Sequence, residues 1–257
     1  MEIASSTDVT FAVRSYEAGI DDHVTLPTLC NYMQEAAGVN ADRLGWGIRA
    51  LQHKGLTWML SRLRASVARY VPWGASVTVR TWPSGVKGRL VAKRCFLGLD
   101  EAGGELFRAS SEWLYVDMAA QKIAKLPESF AGIVPPGTPD FDLPEIGGKF
   151  AHLPSAEGGV DILTRHGDLD FNDHVNNVHY VEWMLECRAG AGSGGGEVTA
   201  AMPGEIDIVF RQAAKAGEAL VSEFCADGER TLHAIRRPSD GAVLATAAVM
   251  AMKEVRA

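Results

Sequence analysis

The stretch "DLDFNDHVNNVHYVEWMLE", residues 168–186, changes its character halfway along. Most of its first twelve residues are Asp, Asn or His, whereas the apolar residues that follow repeat at the i, i+3, i+4, i+7 spacing of a helix with one buried face. Asp and Asn favour helix starts, because their side chains accept hydrogen bonds from the free N–H groups there. The stretch therefore predicts a helix over about 176–189. It holds more polar residues than capping requires, which indicates a functional site.

Two kinds of metal site compete with that interpretation, and the spacing argues against both. An EF-hand calcium loop would need Gly where Asp173 stands and Glu where His179 stands. A zinc site would need its ligands on one face, but His174 and His179 are five residues apart and point about 140° apart on a helix. The interpretation that remains is a helix N-terminus, whose free N–H groups and dipole favour a developing negative charge. We therefore expect no metal.

The same pattern occurs near the N-terminus, in "DDHVTLPTLCNYMQEAAG", residues 21–38. An offset of 151 positions aligns "DHV" at 22–24 with "DHV" at 173–175, and it pairs Met33 with Met184. Similar strand-like segments follow each copy. The chain is therefore predicted to contain two copies of one unit.

Each copy has the pattern of a short strand, a long helix and several strands of alternating apolar character. This order indicates the α+β class, with an antiparallel sheet wrapped around one long helix in each unit. We predict an N-terminal unit over 1–125 and a C-terminal unit over 158–257. The segment 126–157 holds six of the eleven prolines and predicts an extended linker. The glycine-rich 190–196 predicts a flexible connection.

The composition is that of a soluble globular protein, with 47% apolar and 22% charged residues among 257. No apolar run reaches the roughly eighteen residues of a membrane span, and the first residues lack a signal-peptide pattern. The four cysteines stand singly, which fits reduced thiols. We expect a cytoplasmic protein that binds neither a membrane nor, with a net charge of -7, nucleic acid.

The negative net charge hides a basic segment. Residues 43–99 contain no Asp or Glu but eleven Lys or Arg. Such a segment predicts a surface that attracts an acidic or phosphate-bearing partner, although a solvated basic face without a partner is the alternative. The residues that we expect to contact the partner are Arg62, Arg64 and Arg69.

The chain resembles the acyl-acyl carrier protein (acyl-ACP) thioesterases of plants and bacteria, which are built as two fused hotdog units. The resemblance covers almost the whole chain, from "FAVRSYEAGIDDHVTLPTLCNYMQEAA" through "RYVPWGASVTVRTWPSG" to the stretch quoted first. Its most specific part is D-x-N-x-H-V-N-N-x-x-Y over 170–180, in which His follows Asp by four residues and not by the five of hydratases with a similar fold. The resemblance implies a tandem (double) hotdog fold.

The resemblance also implies a catalytic constellation of Asp170, Asn172 and His174 in the second unit. Thioester hydrolysis needs an activated water and a place for the oxyanion. Asn172 and His174 would orient the water and the thioester, and Asp170 would hold one or both of them. Whether Asp170 or His174 takes the proton stays open. Backbone N–H groups around Val175 and Asn176 would receive the carbonyl oxygen.

The chain departs from the family at a second motif. The family carries a Glu on the strand after the second helix, whereas the aligned residue here is Ala213, or Gln212 after a shift of one position. Neither side chain can act as a base. Asp170 and His174 would then act alone, or the enzyme would be slow, or the protein would bind acyl carriers without cleaving them.

The first unit lacks the constellation, because Gly19 and Asp21 stand where the second unit has Asp170 and Asn172. The first unit is therefore expected to be the non-catalytic copy, whose helix and strands form the acyl tunnel.

The resemblance thus implies a thioester hydrolase of fatty acid biosynthesis that converts acyl-ACP to free fatty acid and holo-ACP without a cofactor. Carrier proteins are acidic and present the acyl group on a phosphopantetheine arm, which suits the basic segment. The alternatives are an acyl-CoA thioesterase of the same fold and a non-hydrolytic acyl-binding hotdog protein. A homodimer is compatible with the sequence.

Overall fold

The computed structural model describes residues 3, 5–141, 143–147, 153, 156–190 and 202–252, with the backbone alone at 188–190. The chain forms two compact units, Met1–Leu143 and Pro144–Ala257. Each contains one long helix and one antiparallel sheet. This architecture confirms the predicted α+β class with two hotdog units.

Unit 1 is an antiparallel sheet in the order β1-β3-β4-β5-β2, with the short β6 paired to β5. Its long helix α1 packs against β1 and β3 through apolar residues three and four apart, such as Leu29, Met33 and Ala36. The elements are β1 (Thr7–Ala12), a 3-10 helix (Ser15–Glu17), α1 (Leu26–Arg43), α2 (Ile48–Gln52), β2 (Leu56–Val67), β3 (Ser76–Lys87), β4 (Val91–Leu99), β5 (Glu105–Asp117), β6 (Lys122–Ile123) and α3 (Glu128–Ala131).

Unit 2 repeats the plan with its sheet in the order β8-β11-β10-β9-β7. Its helix α4 packs against β7, β9 and β10 and buries Val178, Val181 and Met184, as the spacing predicts. Leu185, on the same predicted stripe, is only partly buried. The elements are β7 (Gly158–Leu163), a 3-10 helix (His166–Asp168), α4 (Asn177–Gly190), β8 (Pro203–Phe210), β9 (Ala219–Asp227), β10 (Arg230–Arg237) and β11 (Ala242–Ala251).

The segment predicted as a linker differs from an extended connection in its first half. Leu126 and Phe130 are buried in the core of unit 1, where Phe130 contacts the rings of Trp46 and Trp58. Further on, the carbonyl oxygen of Pro139 accepts a hydrogen bond from the indole of Trp82. Large apolar side chains in a proline-rich stretch were the signal that this part belongs to the first unit. The rest of the linker lies partly outside the described residues, as do residues 191–196 of the glycine-rich connection.

Among the described residues, no helix is long and apolar enough to cross a membrane.

Candidate active site

The candidate site is a tight turn immediately before α4. Leu169 and Val175 form an antiparallel bridge, and the N–H of Asp170 donates to the carbonyl oxygen of His174 at 2.7 Å. Asp173 closes the turn in the left-handed region, with φ of 59°. Asp is among the few residues other than Gly that adopt this conformation readily. The polar sequence is therefore required in part by the geometry of the turn itself.

The turn brings the three predicted catalytic residues together. The Asp170 carboxylate accepts one hydrogen bond from the backbone N–H of Asn172 at 2.8 Å and a longer one from its side-chain Nδ2 at 3.4 Å. His174 is partly buried, and no described residue donates to or accepts from its ring. Asp170 therefore orients Asn172, and the imidazole of His174 is free to meet a water or a substrate.

The structure corrects the prediction of the oxyanion donors. The N–H of Val175 donates to the carbonyl oxygen of Ala214, and the N–H of Asn176 to that of Asp168, both at 2.9 Å. Those two bonds fasten the turn to its surroundings, so neither group is free to receive a thioester oxygen. In the described part of the chain, the N–H groups of His174 and Asn177 have no acceptor.

Asn176 is instead the N-cap of α4. Its side-chain oxygen accepts from the N–H of Val178 at 3.1 Å, and its carbonyl oxygen accepts from the N–H of His179 at 3.0 Å. The free N–H of Asn177 therefore stands at the first position of the helix, where the positive end of the helix dipole favours an anion.

An ion pair between the exposed Arg165 and the buried Asp168 holds the residues that precede the turn, and the sequence reasoning missed it. Asp168 is 2% exposed and accepts from the backbone N–H of Arg165 at 2.7 Å and from its Nη2 at 2.8 Å. Burial alone would raise the pKa of the Asp168 carboxyl, but these bonds from Arg165 outweigh it and lower the pKa. The carbonyl oxygen of Asp168 holds Asn176, so the pair supports the helix start directly.

His179 lies beside that pair, on the first turn of α4. Its Nδ1 is 2.6 Å from Oε2 of Glu182, and this hydrogen bond raises the pKa of His179 despite partial burial. His179 is therefore engaged within its own helix, whereas His174 lies in the turn before that helix. Among the described residues, no group of three or more His, Cys, Asp or Glu could hold a metal ion.

The two candidates for the missing Glu are both exposed. Gln212 accepts a hydrogen bond from Nη2 of Arg237 at 3.1 Å through its side-chain oxygen. Their neighbour Ala214 does contact the turn, since its carbonyl oxygen accepts a hydrogen bond from the N–H of Val175 at 2.9 Å, and its own N–H donates to the hydroxyl of Tyr180 at 2.9 Å. This segment therefore holds the turn in place through its backbone.

Unit 1 repeats the turn at the offset of 151 residues. The N–H of Gly19 donates to the carbonyl oxygen of His23 at 2.8 Å, and Asp22 has a φ of 63°. Two differences distinguish this turn from the one in unit 2. Gly19 has no carboxylate, and Nδ1 of His23 lies 2.7 Å from the carbonyl oxygen of Asp21, so this imidazole is tied to its own turn. The ion pair of Arg165 with Asp168 also has a counterpart in unit 1, formed by Arg14 and Glu17.

The structure does not leave the three predicted partner contacts, Arg62, Arg64 and Arg69, free to meet a partner. Arg64 is buried and donates from Nη1 to the carbonyl oxygen of Leu143 at 2.7 Å, which excludes it from contact with a partner. Arg62 is partly buried. Other cations of the segment pair with acids from elsewhere in unit 1, as the following ion pairs show: Arg69 with Asp100, Arg80 with Asp8, Arg89 with Glu128 and Lys93 with Asp140.

Two hotdog units, with a carboxylate–amide–imidazole turn at the start of one long helix, define the class of thioesterase-like hotdog proteins. The acyl-ACP thioesterase N-terminal domain family matches residues 4–134, and the acyl-ACP thioesterase C-terminal domain family matches 159–250. The chain belongs to the acyl-ACP thioesterase family.

Two curated relatives that the chain matches are plant proteins. The palmitoyl-acyl carrier protein thioesterase of Gossypium hirsutum is 36% identical over 188 residues, and that of Arabidopsis thaliana is 33% identical over 189. Each match covers 68% of this chain and 45% of the relative, so the matched region spans less than half of those proteins.

Solved structures share the fold over nearly the full chain. The 12:0-ACP thioesterase from Umbellularia californica has a TM-score of 0.81 at 24% identity, covering 96% of this chain and 97% of that one. An acyl-ACP thioesterase from Bacteroides thetaiotaomicron has a TM-score of 0.80 at 20% identity, with the same coverage.

Proposed function

We propose that this protein hydrolyses the thioester of fatty acyl-ACP to free fatty acid and holo-ACP. The observation that carries the proposal is the turn in which Asp170 orients Asn172 beside an unengaged His174 ring. Family membership and the plant relatives named as acyl carrier protein thioesterases support the choice of substrate.

The proposed reaction follows from which groups are free. The imidazole of His174 takes a proton from water as the water attacks the thioester carbonyl, and Asn172, held by Asp170, orients the reactants. The donors to the oxyanion are the N–H groups of His174 and Asn177, which have no acceptor in the described structure. The N–H groups of Val175 and Asn176 are already bonded to carbonyl oxygens. The thiolate of the phosphopantetheine arm leaves readily and needs little assistance.

The absence of a carboxylate at Gln212 and Ala213 is part of the proposal. With both side chains exposed, Asp170 and His174 provide the only acid–base groups that we assign to the reaction. Unit 1 acts as the non-catalytic, acyl-binding copy, because its turn lacks the carboxylate and its histidine is tied. The second unit is the catalytic one.

We also propose that the protein works in a reducing compartment such as the cytoplasm, in fatty acid biosynthesis. All four cysteines are buried free thiols, which supports that environment.

A thiol-release assay tests the function. One acyl chain is offered on acyl carrier protein, on CoA and on pantetheine, with the wild type and with Asp170→Asn as the inactive control. We expect the highest kcat/KM on the carrier protein and at least a hundredfold lower kcat for Asp170→Asn. A higher kcat/KM on CoA would assign the protein to acyl-CoA hydrolysis instead. Tight binding of acyl-ACP with no thiol release would identify a non-hydrolytic acyl-binding protein.

A further inference from the structure

The end of unit 2 that carries the catalytic turn presents large apolar side chains to solvent. Phe171, which lies between Asp170 and Asn172 in the chain, is 71% exposed, and Leu163 at the end of β7 is 67% exposed. Side chains of this size in solvent mark interaction sites when they lie close together beside a functional site.

Hydrogen bonds bring the segments that carry these residues into one surface. Thr164, next to Leu163, donates from its hydroxyl to the carbonyl oxygen of Lys215 at 2.6 Å. Lys215 in turn places its ammonium 3.6 Å from the carboxylate of Asp173, two residues after Phe171. We name Leu163, Arg165, Phe171 and Lys215 the rim of the catalytic turn.

The rim combines its two apolar side chains with two exposed cations. The side chains of Arg165 and Lys215 are 76% and 61% exposed. Arg165 binds Asp168 through Nε and Nη2, and its Nη1 has no partner among the described residues. The pair of Lys215 with Asp173 is long and solvated, so it is weak and leaves the ammonium able to meet another anion.

We propose that this rim is the docking surface for an acidic acyl carrier protein, with Phe171 and Leu163 as apolar contacts and Arg165 and Lys215 as partners for carboxylates or the arm's phosphate. The inference rests on the proposed function and names where that substrate's protein part binds. It replaces Arg62, Arg64 and Arg69 as the expected contacts, since Arg64 is buried and Arg69 is paired with Asp100. The phosphopantetheine arm must deliver the thioester to the turn at 170–174, so the carrier must dock within the arm's reach of that turn.

The charge of the rim favours this occupant over a second copy of the chain. A two-fold contact would place the same surface against itself, and so would bring Arg165 and Lys215 near their own copies. An acidic partner gains from both cations.

The internal repeat supplies a matched control. Ile20 of unit 1 stands at the position equivalent to Phe171 and is 103% exposed, but it lies beside Gly19 and the tied His23. Ile20→Ser and Phe171→Ser therefore remove equivalent exposed apolar side chains, one from each turn.

The experiment measures the Kd of a carrier protein whose arm holds the acyl chain through an amide, which cannot be hydrolysed. We expect Phe171→Ser, Leu163→Ser and Lys215→Glu each to raise this Kd about five- to tenfold, and Ile20→Ser to change it less than twofold. Unchanged Kd values for the three rim variants, or an equal rise for Ile20→Ser, would overturn the proposal. So would loss of a dimer by light scattering in Phe171→Ser, because the rim would then be a self-interface.

The same acyl amide on free pantetheine separates docking from damage to the acyl site. If the rim variants raised the Kd of the pantetheine amide as much as they raised that of the carrier amide, the proposal would be overturned. Failure of the proposed function gives a different result, since the wild type would then bind the carrier amide through the rim yet release no thiol from the thioester.

Discussion

The N–H of Asp170 donates to the carbonyl oxygen of His174 at 2.7 Å, and this bond holds two of the three catalytic candidates at the ends of one turn. The equivalent bond joins Gly19 to His23 in unit 1. The two turns thus share a backbone and differ in their side chains, which allows the chemistry to be tested against a control within the same chain.

The first prediction uses that control. His174→Ala should lower kcat for acyl-ACP hydrolysis by about 10²- to 10⁴-fold, the usual loss for an acid–base group. His23→Ala should lower it less than about tenfold, because that ring is tied to the carbonyl oxygen of Asp21. Thiol release under saturating substrate measures both. Equal losses would mean that both turns take part in the reaction.

The second prediction concerns the pH dependence of stability. The pKa of Asp168 is lower in the folded protein than its ordinary value of 3.8, so its pairing with Arg165 contributes stability above about pH 4. That contribution is lost as the pH falls through the folded pKa. Between about pH 5 and pH 3, the Tm of the wild type should fall further than that of Asp168→Asn. Glu128→Gln, at a side chain that is 88% exposed, should behave as the wild type does.

The third prediction tests the bond that holds the segment after β8 to α4. Tyr180→Phe removes the acceptor of the Ala214 N–H, which is buried. An unsatisfied buried donor costs about 1–3 kcal/mol of unfolding free energy. The carbonyl oxygen of Ala214 also accepts a hydrogen bond from the N–H of Val175 in the turn. Because a shift of Ala214 would move that turn, kcat should fall as well. Tyr16→Phe, at an exposed tyrosine, should change neither quantity in urea unfolding or thiol-release assays.

The fourth prediction tests whether the proline-rich segment belongs to unit 1. Phe130→Ala removes a buried ring that contacts Trp46 and Trp58 and should lower the unfolding free energy by about 3–5 kcal/mol. Glu128→Ala, in the same short helix, should change it by less than about 0.5 kcal/mol. If denaturant unfolding shows that both substitutions change the unfolding free energy by less than about 0.5 kcal/mol, the segment is a linker.

Local patterns were sufficient for the long helices and for the internal repeat. The spacing of Val178, Val181 and Met184 is a property of one helix, and the predicted start of α4 at Asn176 differs from the observed start at Asn177 by one residue. The second unit was visible because Asp22, His23 and their neighbours recur at a constant offset. Helix spacing depends on residues close in the chain, and a repeat is found by comparing the sequence with itself, so both can be read without knowing the packing.

The sequence by itself predicted two units, the long helix of each and the polar turn at 170–174, because turn geometry and helix capping are local. Only the tertiary structure decided which groups of that turn are free. The N–H groups of Val175 and Asn176 are used by carbonyl oxygens of Ala214 and Asp168, and Ala214 is almost forty residues away. The same holds for charge: a run without acids along the chain overstates the basic surface, because folding brings distant carboxylates such as those of Asp8 and Asp140 against some of its cations.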